Sequence, residues 1–236
     1  MEIINKKDNK IVFKEETNEN LANAIRRYSH HIPIFAIDEV EISKNESALY
    51  DETLAHRIGL VPIKTNKSTK KEYEITLNAK GKGTVYSGDI KGDVELVHDK
   101  IPLDILEEGK QIELKGTVRS GRGKDHAKFS PGIIFYRKEA EIKMSKDFLE
   151  EVKRICPNSE IQEKGENIII KDNKEREVAD VCEGLAEKNN QKAEVIDKDN
   201  LILTVETFGQ LSPEEIFKQS VETLKKDLQE VSKALK

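Results

Sequence analysis

The side chains best suited to metal or nucleophile chemistry are five histidines, His30, His31, His56, His98 and His126, and two cysteines, Cys156 and Cys182. No histidine stands in an HExxH pattern or beside a CxxC pair, so the spacings that hold zinc are missing. Glu52 and His56 are four apart on an expected helix, where an exposed or supporting polar pair is the ordinary reading. Gly121-Arg122-Gly123-Lys124 invites a phosphate-loop reading. It fails, because no glycine stands five residues before Gly123 and Asp125 replaces the required Ser or Thr. There is no GxSxG and no paired acidic metal motif. The cysteines are 26 positions apart, and a free, buried thiol is the default for each. Iron–sulfur clusters usually draw on four cysteine ligands, so this chain alone cannot build the usual one. No catalytic constellation emerges.

Composition points the same way. Hydrophobic residues make up 36% of the 236 positions, and charged residues also 36%, against roughly 25% charged in ordinary globular chains. The 45 acids and 40 bases leave a net charge of −5. That balance argues against DNA binding as the main task and leaves room for a local basic patch. Two cysteines suggest a reducing compartment. The start, MEIINKKDNK, lacks the apolar stretch of a signal peptide. The run from Ile32 to Ile37 is far short of the ~20 residues that cross a bilayer. A cytoplasmic protein with no membrane segment is expected.

The elements that must position these side chains are legible in outline. Ile3-Ile4, a turn at Lys7-Asp8-Asn9, then Ile11 and Phe13 predict a hairpin. Thr17-Asn18 is a helix start, and Leu21, Ile25 and Tyr28 lie on one face of the helix that Pro33 ends. Phe35 to Ile42 predicts a strand with Val40 and Ile42 inward. A second helix carries Leu54, Ala55 and Ile58, with Gly59 as its stop. From Lys64 to Met144 the pattern is mostly β, punctuated by glycines. Residues 145–199 predict a small α/β insert: a helix ending near Cys156-Pro157, a strand at 168–170, a helix from Glu177 to Lys188 and a strand near Val195. The strand Leu201 to Val205 then leads into a terminal helix.

That helix is the best-specified element. Ser212, Pro213 and Glu215 make a capping box. Phe217, Val221, Leu224, Leu228, Val231 and Leu235 are spaced 4, 3, 4, 3, 4, close to the 3.5-residue period of a helix–helix seam. The stripe packs either on the chain's own sheet or on another chain. Burying such side chains stabilises by roughly 1.5–3 kcal/mol each, enough to sustain a partnership that must offset several kcal/mol of association cost.

Three segments carry a family resemblance: LANAIRRYSHHIPIFAIDEVEI at 21–42, NESALYDETLAHRIGLVPI at 45–63 and GKDHAKFSP at 123–131. Together and in order they resemble the D subunit of archaeal RNA polymerase, a family related to the third-largest subunit of eukaryotic RNA polymerase II and to the bacterial α subunit. The resemblance covers nearly the whole chain.

It implies an α+β fold in three parts. A dimerisation domain is built from both chain ends, here 1–42 and 200–236. A β-rich domain is inserted between them at 43–144, and a ferredoxin-like insert lies at 145–199. The implied role is non-catalytic: pairing with the small L subunit and, with the N and P subunits, forming the platform for the large catalytic subunits. Magnesium and zinc would belong to those other subunits, and DNA would be met only through the whole complex. The L-facing seam would use Leu21, Ile25 and the stripe Phe217, Val221, Leu224, Leu228, Val231 and Leu235. Arg26 and Arg27, His56 and Arg57, and His126, Lys128 and Phe129 would face other polymerase subunits. Two adjacent guanidiniums suit carboxylates or backbone carbonyls; the lesser alternative is that one of them caps the helix C-terminus. Cluster-bearing relatives carry more cysteines in the insert. Cys156 and Cys182 therefore read as remnants, leaving a core of Ile168, Ile170, Val178, Val181, Leu185 and Val195 and no cluster.

Two other readings compete. A direct nucleic-acid-binding module is suggested by Arg26-Arg27 and the basic stretch from Arg119 to Lys128. A redox protein built on the insert is opposed by the cysteine count.

Overall fold

A computed structural model describes residues 1–65 and 72–235. In chain order the elements are β1 (Glu2–Lys7), β2 (Lys10–Glu16), α1 (Glu19–Tyr28), β3 (Pro33–Asn45), α2 (Asp51–Gly59), β4 (Glu72–Lys80), β5 (Gly83–Tyr86), β6 (Ile90–Gly92), β7 (Pro102–Leu106), β8 (Gln111–Arg122), β9 (Gly132–Ser145), α3 (Leu149–Ile155), β10 (Glu160–Lys164), β11 (Asn167–Asp172), α4 (Ala179–Lys188), β12 (Glu194–Thr207) and α5 (Pro213–Ala234). The chain is α+β, and it separates into two compact units. One comprises Met1–Ala24 and Ile134–Val205; the other comprises Ile25–Ile133 and Glu206–Lys236.

The first unit is built on a six-stranded sheet in the order β1-β2-β12-β9-β11-β10. Residues Leu201 to Val205 are buried without a break, as a strand needs to be when both its faces are covered. On β9, Ile142 and Met144 lie directly opposite Ile170 and Ile168 of β11. All four are core residues, packed with Phe148, Val152, Val178, Cys182 and Ala186. Period-2 burial on β9 and β11 and period-4 burial on α4 thus meet across one core. The start of α4 is fixed by Asp172, whose Oδ2 accepts from the backbone N–H of Val178 and Ala179. The helix therefore begins after Val178, two residues later than the sequence pattern suggests. Asp172 Oδ1 is ion-paired with Arg137 at 2.8 Å. Arg137 also donates to the Lys174 and Arg176 carbonyls.

The second unit contains a four-stranded sheet, β3-β8-β4-β6, and a two-stranded one, β5-β7. β3 and β8 are antiparallel from Pro33↔Arg122 to Asn45↔Ile112, with bulges after Ile37 and after Ile42. Ile37, Ile75, Leu77, Ile112, Leu114 and Val118 form its core, covered by Leu54 and Ile58 of α2. Val40 and Ile42 pack against that core and are only partly buried. Gly59 is the last helical residue of α2 rather than its stop; Leu60 and Val61 close the helix by donating to the Arg57 and Ile58 carbonyls respectively. The helix α1 ends at Tyr28, ahead of Pro33, and passes into a 3-10 turn at Ser29–His31.

Candidate partner interface

The N-terminus of α5 is fixed as its sequence dictates. Ser212 Oγ accepts from the Glu215 N–H, Glu215 returns its carboxylate to the Ser212 N–H, and Pro213 opens the first turn. The face turned inward is Pro213, Ile216 and Ser220. The Ser220 hydroxyl donates to the Ile216 carbonyl at 2.8 Å, so a polar residue is buried without an orphaned group. A Cβ on Gly132 would lie 2.2 Å from the Glu206 carbonyl oxygen and 3.0 Å from Ile216, so glycine alone allows this approach. The apolar stripe is rotated away from that inward face. Phe217 and Leu224 are half-buried. Val221, Leu228, Val231 and Leu235 are 37%, 61%, 57% and 83% exposed. On α1, Leu21 is exposed while Ile25 is buried. Tyr28 stacks on His31, with ring centroids 4.6 Å apart. Burial first, and then its hydrogen bond to Asp227 of α5, holds the Tyr28 phenol above its usual value.

The loop from Arg122 to Pro131 is held on three sides. His126 Nδ1 accepts from the Lys128 N–H, forming a turn over Ala127–Phe129. The Lys128 ammonium reaches back to Asp38 on β3. Phe129 is buried, its ring filling the space where a Gly121 side chain would stand, 2.6 Å from that Cβ position. His30 faces Ser130 Oγ at 3.2 Å, and the His30 carbonyl accepts from the Lys124 N–H. His56, His126 and Lys128, far apart in sequence, line one surface hollow with Asp38, Val40 and Leu60. Arg57, next to His56, instead donates to the Pro102 carbonyl and ties α2 to β7.

The basic residues in and around this loop divide into two sets. Arg119 is engaged by Glu72, Glu39 and Asp38, and Lys128 by Asp38. Arg27, Arg122 and Lys124 are exposed. Asp38, Ile216 and Ser220 are structural members of this region that sequence reasoning missed, and His30 was weighed there only for metal or nucleophile chemistry. Nothing local marks Asp38, because its partner Lys128 is 90 positions away.

An iron–sulfur cluster does not fit the insert. Cys182 is fully buried in the core, and burial pushes its thiol up to about 12. Burial also raises Cys156. Two cysteines cannot supply the usual four ligands, and one of them is closed inside the core. Among the described residues, no group of three or more His, Cys, Asp or Glu is placed to hold a metal ion. Also among them, no helix is long and apolar enough to cross a membrane.

Residues 40–135, which span β3 to β9, match the RNA polymerase Rpb3/RpoA insert domain. The chain is 38% identical over 212 residues to the DNA-directed RNA polymerase subunit Rpo3 of Thermococcus kodakarensis, covering 83% of this chain and 81% of that one. This chain belongs to the Rpo3 family of DNA-directed RNA polymerase subunits. Rpo3 of Pyrococcus furiosus is 34% identical over 243 residues, covering 92% of this chain and 89% of that one. Rpo3 of Archaeoglobus fulgidus is 31% identical over 262 residues, covering 100% and 97%. Rpo3 is the newer name of the archaeal D subunit, so the family suggested by the three sequence segments is the one the relatives carry. As an Rpo3-family member the chain is a transcription protein whose partners are other polymerase subunits. The Rpb3/RpoA insert match contains α2, His56, His126 and Lys128 of the hollow, and the loop from Arg122 to Pro131, while Asp38 lies just before it.

Proposed function

We propose that this chain is the non-catalytic assembly subunit of its polymerase. It pairs with the small L subunit and, with N and P, forms the platform on which the large catalytic subunits assemble. The observation that carries the reading is the apolar stripe on α5, four of whose members stand exposed beside a helix face that is already buried. Exposed apolar rows of this kind are interaction surfaces.

In this reading Leu21 and the stripe meet L, and Ile25 of the same seam is buried within this chain. Arg26, Arg27, His56, Arg57, His126 and Lys128 face other subunits, with Phe129 anchoring the loop. The end-built domain at 1–42 and 200–236 does the pairing, 43–144 carries the second interface, and 145–199 is a ferredoxin-like insert kept without a cluster. Magnesium and zinc reside in other subunits, DNA is met through the complex, and the site of action is the cytoplasm.

Co-expression with an L-type subunit tests this. A one-to-one complex is expected, weakened at least about tenfold by Leu228→Asp, the loss of roughly one buried leucine's contribution. A chain that stays monomeric beside that partner overturns it.

A further inference from the structure

Two basic segments of the second unit, far apart in sequence, are joined. The Lys124 N–H donates to the His30 carbonyl at 3.0 Å. A Cβ on Gly123 would be 3.0 Å from His30 Nδ1 and 2.8 Å from Ser130 Oγ, so the turn lies directly on His30. His30 follows Arg26-Arg27 by three residues. No Asp or Glu occurs between Glu19 and Asp38, and none between Glu113 and Asp125. The two acid-free stretches are therefore brought to one place on a chain whose net charge is −5.

Within this region the cations are not equivalent. Arg119 and Lys128 are neutralised by Asp38, Glu39 and Glu72. Arg27, Arg122 and Lys124 are exposed and have no ion-pair partner among the described residues. Asp125 follows Lys124 within the turn, and Asp227 is hydrogen-bonded to Tyr28, the residue after Arg27.

We propose that Arg27, Arg122 and Lys124, assembled on His30, form one composite cationic surface that takes an acidic segment of another polymerase subunit. This rests on the polymerase-subunit reading and adds the chemistry of the partner. Guanidinium forks suit carboxylates, and uncompensated surface charge steers and selects a partner of opposite sign. A nucleic acid is a worse match. The aromatics at hand are unavailable for stacking bases, since Tyr28 is stacked on His31 and Phe129 is buried.

The test uses the assembled polymerase and the free full-length chain. Lysines are labelled with an amine-reactive reagent and read by mass spectrometry, and zero-length carbodiimide coupling of Lys124 to partner carboxylates is mapped in parallel. Lys124 should be protected about tenfold on assembly without DNA and should couple to an Asp or Glu of another subunit, while Arg122→Glu with Lys124→Glu lowers incorporation by about the same factor. Equal labelling of Lys124 in both states, or protection only after template DNA is added, overturns the proposal. Absence of the chain from the polymerase altogether would instead overturn the reading it rests on. Unfolding midpoints of the double variant separate a binding loss from a folding loss, and Arg119→Glu, which breaks internal ion pairs, is the contrasting control.

Discussion

Lys128 Nζ lies 2.7 Å from Asp38 Oδ1 and donates to the Asp38 carbonyl oxygen at 2.9 Å, so one loop residue grips both the side chain and the backbone of one residue on β3. Asp38 sits at the bulge where β3 slips its register against β8. The carbonyl on an irregular strand is thereby given a donor. Lys128→Met should cost about 1–2 kcal/mol, the scale of a charge-assisted hydrogen bond that is partly exposed. Amide exchange across Ala127–Ser130 should speed up in the same variant. Unchanged exchange there would mean that Phe129 alone holds the loop.

The two sides of α5 should respond unequally to truncation. Ile216→Ala removes a fully buried side chain and should lower unfolding stability by about 2–4 kcal/mol. Leu228→Ala, at an exposed position, should stay within about 0.5 kcal/mol in the isolated chain. Urea denaturation of both variants reads the difference. Equal losses would contradict the rotation of the buried face away from the stripe.

Glu160 titrates far from its usual range. Lys174 first, then Lys171, hydrogen-bonds its carboxylate and brings its pKa from 4.5 down to about 2. The folded value lies below the unfolded one, so the favourable contribution is complete above about 4.5 and is lost as pH falls through about 2. A carboxyl-resolved NMR titration should find the Glu160 midpoint near 2, and Lys174→Met should move it upward. A midpoint at the ordinary value would show that the pair does not persist in solution.

The cysteines should be slow towards alkylating reagents in the native chain. Cys182, fully buried and pushed up to about 12, should stay unmodified at pH 8 until the protein unfolds. Cys156 is partly exposed, with a thiol raised mainly by burial, and should react slowly. Mass spectrometry after timed iodoacetamide exposure gives the order. Labelling of Cys182 at the rate of Cys156 would place it outside the core.

Local chemistry was the readable part of this fold. The capping box at Ser212 and the hairpin turn between Lys7 and Lys10 are decided by neighbours in sequence, and both were visible there. The inward face of α5 was not. Its third member is Ser220, whose hydroxyl is satisfied by its own helix, so hydropathy does not mark it, while the more regular apolar row stands outside. The insert shows the same limit. Ile168 and Ile170 were legible as core positions, but their partners Met144 and Ile142 come from β9, beyond the insert's expected boundary. The hollow shared by His56 and His126 depends on tertiary contacts that no local pattern encodes. The family resemblance named those residues without placing them.

The position of β12 has a consequence for how the chain is made. This strand lies between β2 and β9 in the six-stranded sheet, yet it follows both of them in the chain. The β1–β2 hairpin can close as soon as it is made, but its inner edge must wait until every element from α1 to α4 has been made before Leu201–Val205 arrives. Until then Ile11, Val12 and Phe13, all buried in the finished fold, stand in front of an unfilled slot. Pairing over such a separation is slow and leaves an unpaired strand edge open to other chains.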